Sequence, residues 1–312
     1  MTQSELDLIR KTPFKGSHSW AYNNYNRYDN FLERMDMSAK TVHKYANDCF
    51  RMFNQAQDND FAYMFYNNIS DNKITVGTIH QRFDDFEKWT LLNKLLAVNC
   101  YFENYLYMIL KLSFDSSPNL IDNSYTDNGV LWLKYGIPSC INPDSIDKKT
   151  KKLIDKCVIG NWQQRMDNLK AILEITDISL INAFNSIIRD LDAFREVRVS
   201  VGHFFGREER IVHDWYNTEI PNFTELTVDS FLDWQKKIHK FVEELDRYIM
   251  KTYVGSYQEL CFYHKNRLII DNYDDLYLKC NKFKILLLQE KKGQGPYNAK
   301  FLANIIKYYN EI

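Results

Sequence analysis

Between Thr78 and Phe114, apolar residues including Ile79, Phe83, Phe86, Leu92, Leu95, Leu96, Phe102, Leu106, Ile109 and Leu110 recur at helical spacing. This pattern keeps one face of an α-helix apolar. An uninterrupted helix of that length would be on the order of 55 Å long. Burying so long a stripe requires other helices laid along it, so the chain is expected to be all-α.

The rest of the chain supplies those partners. Val42, Ala46, Cys49 and Phe53 predict one helix near the start, and Trp162, Met166, Leu169 and Leu173 another, capped by Asn161. A helix capped by Thr176 or Asp177 follows and stops at Gly202 and Gly206. After a turn-rich crossing from Gly206 to Pro221, Phe231, Trp234, Ile238, Phe241, Leu245 and Tyr248 define a strong bundle helix from Val228 to Tyr253. Residues 115–147 hold Ser-Ser-Pro, Asn-Gly and Asn-Pro-Asp, the punctuation of an irregular crossing. A basic helix around Lys148 to Lys156 comes next, its charges expected on a solvated face. The organisation expected is an accessory segment over 1–75, a helical bundle over 76–255 and a helical extension over 256–312.

Charge narrows the function classes only locally. Lys and Arg total 40 against 41 Asp and Glu, so a polyanion would have to be met by a patch and not by the field of the whole molecule. The six cysteines form no CxxC pair and show no zinc-ligand spacing, so free thiols and no metal are expected. Leu91 to Leu112, the longest apolar stretch, is broken by Asn93, Lys94, Glu103 and Lys111. Neither a membrane span nor a signal peptide is expected, and the location read from this is cytoplasmic.

One helix breaks its own pattern. At about 100° per residue, Leu180, Phe184, Ile187, Leu191, Phe194 and Val201 share one direction, and Arg198 falls near its centre. Breaks of this kind mark functional or strained positions. A buried stem with its head paired to Asp192, Glu196 or a carboxylate of the closing helix would be a structural solution. The other solution is a guanidinium kept for phosphate, with His203 near the helix end as its companion. Arg195 lies beside the stripe as a second phosphate contact, and Ser200 is placed to orient either group. His18, His43, His80 and His264 carry no companion visible in the sequence.

The run Leu95-Leu96-Ala97-Val98-Asn99-Cys100-Tyr101-Phe102-Glu103-Asn104-Tyr105-Leu106 resembles the long first helix of HEPN domains. Arg198-Val-Ser-Val-Gly-His203 resembles their Arg-x4-6-His signature, and Phe231 to Ile249 is similar to their closing helix. The likeness covers roughly residues 79–253. It departs from the family at Val199, where many members carry a polar residue after the arginine.

The resemblance implies an up-down helical bundle with N- and C-terminal helical extensions. It also implies a metal-independent endoribonuclease without cofactor, acting as a homodimer on RNA, with Arg198 and His203 catalytic. Such enzymes serve as toxins or abortive-infection effectors in antiviral defence, which implies an antitoxin or another regulatory partner. The alternative is a catalytically silent HEPN-like module that binds RNA, nucleotide or protein, and a purely structural scaffold is a third possibility.

Overall fold

The computed structural model describes residues 2–14, 18–52, 60, 74–125, 128–204, 223–290 and 297–312, leaving aside the side chains of residues 46, 47, 49–52, 203 and 204. Among these it contains eleven α-helices and no strand, so the chain is all-α. In order they are α1 (Gln3–Lys11), α2 (Trp20–Met52), α3 (Val76–Ser116), α4 (Gly129–Tyr135), α5 (Pro143–Val158), α6 (Trp162–Ile172), α7 (Ile178–Phe204), α8 (Val228–Ile249), α9 (Tyr257–Ile270), α10 (Leu276–Gln289) and α11 (Ala299–Glu311). No helix among the described residues is long and apolar enough to cross a membrane.

Short polar side chains set most of the helix starts. Asn128, Asn142, Asn161, Asp275 and Asn298 each accept a hydrogen bond from a first-turn amide of α4, α5, α6, α10 and α11. Thr2 and Glu5 form a reciprocal capping box on α1. The 115–147 crossing is more regular than its turn residues suggest, because Asn128 starts α4 inside it and Val130 is fully buried.

The chain folds as two compact units, each assembled from segments distant in sequence. One comprises Met1–Tyr25, Phe102–Arg189 and Lys237–Ile312. Its core includes Phe102 stacked on Trp162 at 5.1 Å, with Phe241 edge-on to Phe102 and 4.7 Å from Phe184. Arg10 is buried here, with Nη2 donating to the Ser116 carbonyl at 2.9 Å and the guanidinium over the Tyr257 ring. Burial without a carboxylate partner pulls its pKa below the ordinary arginine value. Gly255 permits this seat: it has φ +55°, and a Cβ there would meet the Arg10 carbonyl oxygen at 2.0 Å. A π-helical turn, Met250–Val254, ends the helix that precedes it.

The other unit comprises Asn26–Tyr101 and Asp190–Lys236. Tyr28 stacks on Tyr101, Asp36 pairs with Lys94, and His43 pairs with Glu87. Partner numbers fall as the α2 numbers rise, so α2 and α3 run antiparallel here. Gln235 ties α8 to α2 by donating to Asp29 at 2.6 Å.

Candidate functional site

The helix carrying the arginine is well defined at its start. Asp177 Oδ1 accepts from the amides of Ser179 and Leu180 at 2.8 and 3.2 Å, capping α7. Its stripe is buried as the spacing requires: Leu180, Phe184, Ile187, Leu191, Phe194 and Val201 are each no more than 8% exposed. Arg198, in the same stripe, is only half-buried. Phe194 meets Trp234 of α8 edge-on at 5.7 Å, which fixes this part of α7 against the closing helix.

Among the described residues Arg198 makes no hydrogen bond and no ion pair, so neither Asp192 nor Glu196 is its partner. Arg195 is exposed one turn earlier and Glu196 is exposed beside it. Ser200 is half-buried, and its hydroxyl hydrogen-bonds that of Thr224 at 2.6 Å. It therefore ties the end of α7 to the segment leading into α8.

Gly202, read from the sequence as part of the helix stop, does not itself end the helix. α7 continues through Gly202 to Phe204, so His203 lies in its last turn. A glycine interrupts a helix only when neighbouring contacts favour another conformation, and Val201, the residue before it, is buried on the stripe. On this continuous helix the Arg198 and His203 directions differ by about 140°. The His203 side chain, Gly206 and the crossing to Pro221 lie outside the described residues.

A second feature of this unit was not legible from the sequence. Parts of α2, α3 and α8 enclose a groove of about 570 Å³ with apolar walls that include Leu32, Phe86, Leu91, Val228 and Phe231. On its rim His43 Nδ1 bonds the Glu87 carboxylate, and the imidazole stacks on Phe83 with ring centroids 5.2 Å apart. A carboxylate at Nδ1 fixes ring orientation and leaves Nε2 for another partner. Lys94 pairs with Asp36 in the same groove, and burial lowers its pKa.

In the first unit, His18 Nδ1 lies 3.1 Å from Asp246 Oδ2. Ser19 donates to the same carboxylate and not to the imidazole. This anchors the start of α2 and makes no nucleophile–base pair. No cluster of three metal-ligating side chains occurs among the described residues.

Comparison with protein-family models, curated proteins and solved structures finds no match.

Proposed function

We propose that this chain is a metal-independent endoribonuclease of the HEPN type, cleaving RNA by attack of its own 2′-hydroxyl to leave a 2′,3′-cyclic phosphate. The observation that carries the reading is Arg198, a half-buried cation on an otherwise buried apolar stripe, with no ion pair among the described residues. Desolvating a guanidinium without a carboxylate is costly, and an incoming phosphate would supply the missing anion bidentately.

The chemistry divides among few groups. A base takes the 2′-hydroxyl proton, an acid protonates the departing 5′-oxygen, and a cation stabilises the charge on the pentacoordinate phosphorus. His203 fills the proton-transfer roles from the last turn of α7. One imidazole does not readily give and take a proton at once. Two copies of His203 and of Arg198, brought together in a homodimer, complete the reaction. The roughly 140° between the two positions on one continuous helix favours such sharing. Arg195 adds a second phosphate contact, while Ser200 positions the end of α7 through Thr224.

A cytosolic nuclease of this kind would harm its host, so restraint by an antitoxin or another regulatory partner, with release during infection, belongs to the same proposal. A second reading, a silent module that binds RNA, nucleotide or protein, draws on the apolar groove beside His43 and Glu87.

The test that separates them uses an RNA carrying a single 2′-deoxy nucleotide at a mapped cleavage position. The nuclease reading expects cutting there to stop while neighbouring positions are still cut in excess EDTA. Binding without cleavage of the all-ribose RNA would favour the module.

A further inference from the structure

Over residues 26–45, α2 faces the wrong way for a helix in a soluble core. Its inward line is polar: Asp29 accepts from Gln235, Asp36 pairs with Lys94 and Lys40, and His43 pairs with Glu87. Leu32 and Ala39 line the groove, but five other apolar residues are exposed. Tyr28, whose ring also stacks on Tyr101, is 53% exposed, Phe31, Met35, Val42 and Tyr45 are 55, 55, 65 and 73% exposed, and no α2 residue from 26 to 45 is fully buried.

With exposed Ser38 these positions advance by three, four, three, four and three residues, the repeat of a coiled-coil seam. At about 100° per residue they fill a sector of roughly 100°, about 130° round the helix from the inward line. A contiguous apolar stripe of this kind marks an interaction surface.

We propose that a second copy of this chain docks on this stripe, α2 against α2 and antiparallel. The inference stands apart from the nuclease reading and survives its failure. Two features favour a second copy.

The stripe is complementary to itself when reversed. Met35 then lies opposite the second copy's Ser38, large against small. Phe31 meets Val42, and Tyr28 meets Tyr45. Along the flank, Arg34 faces the neutral Thr41 region of the other copy. A parallel pair would set Arg34 level with Arg34, which is unfavourable.

The area is also sufficient. A fully covered aromatic side chain buries about 150–250 Å², so five large residues at these exposures give on the order of 500 Å² per copy. A pair thus reaches the roughly 1,000 Å² that a specific interface needs.

Sedimentation equilibrium of the full chain over micromolar concentrations tests this, with the double variant Met35→Asp/Val42→Asp beside it. Both positions are exposed, so circular dichroism and melting temperature should be unchanged. The wild type should dimerise, and the variant should dissociate at least ~100-fold more readily. Under mild oxidation, Met35→Cys/Ser38→Cys should form an intermolecular disulfide absent from wild type. Tyr28→Cys should not, because antiparallel helices hold its two copies about 25 Å apart. A monomeric wild type, a dimer indifferent to the aspartates, or association only with a different protein would overturn the proposal. Cross-linking through Cys at 28 would overturn the antiparallel register.

Discussion

The Ser200 and Thr224 hydroxyls hydrogen-bond at 2.6 Å, joining the end of α7 to the segment that leads into α8. A partly buried neutral hydrogen bond contributes about 1 kcal/mol. Ser200→Ala and Thr224→Val should each lower unfolding free energy by about that much. Because both remove one bond, the double variant should cost less than the sum of the singles. Urea melts of the four proteins give the cycle, and strict additivity would show that the bond does not couple the two segments.

Glu103, one of the residues behind the HEPN resemblance, pairs with Arg165 at 2.9 Å. The same guanidinium donates through Nε to the Gly160 carbonyl at 3.0 Å and lies over the Trp162 ring at 4.4 Å. Arg165 is 9% exposed in its side chain, so Glu103→Ala leaves a nearly buried cation without its carboxylate. The expected loss is about 2–3 kcal/mol, below the full buried-pair figure because Glu103 is partly solvated. Glu103→Gln, which keeps an acceptor, should lose less. Equal losses in the two variants would show that charge is not what Arg165 needs.

Where a residue's role depends on its own helix, the sequence reveals it. The α7 stripe is buried at every expected apolar position, Asn161 and Asp177 cap as expected, and the helix expected over 78–114 spans Val76–Ser116. Other features depend on a neighbour that spacing does not specify. The helix expected near Val42 to Phe53 begins at Trp20, and Val42 is exposed, because α2 turns its ionic residues inward and five apolar ones out. His43 finds Glu87 only because α2 and α3 run antiparallel, which no local pattern encodes. The half-burial of Arg198 fits its place on the stripe, while the absence of an ion partner among the described residues is legible only in the folded chain.

Glu259 is fully buried. Desolvation raises its pKa from 4.5 to about 7, against the opposing hydrogen bonds from its own backbone amide, Tyr297 and Gln258. The folded protein therefore keeps this proton up to about pH 7, while the unfolded chain gives it up near 4.5. The unfolded state holds fewer protons in that window, so the contribution of Glu259 to stability is full below about pH 4.5, falls as pH rises and is lost above about 7. The gap corresponds to about 3 kcal/mol. Chemical melts across this range should show the decline in wild type and a flatter profile in Glu259→Gln. Identical slopes would mean that Glu259 ionises normally.

Gly129, at the first position of α4, sits against the end of α3. A Cβ there would lie 1.8 Å from the Asp115 carbonyl oxygen, a backbone atom that cannot rotate away. Gly129→Ala should destabilise by at least ~2 kcal/mol by separating the two backbones. Gly202→Ala meets nothing within 4 Å and should be neutral or slightly stabilising in the helix. A thermal melt of each decides the contrast, and similar changes in both would contradict it.

The most direct measurement is the cleavage rate of a defined RNA in excess EDTA by wild type, Arg198→Ala and His203→Ala, with fragment ends identified chemically. The account predicts 2′,3′-cyclic phosphate ends from wild type and a loss of at least ~10²-fold in each variant, with folding unchanged. Intact RNA with a properly folded wild type, or equal cutting by all three proteins, would contradict it.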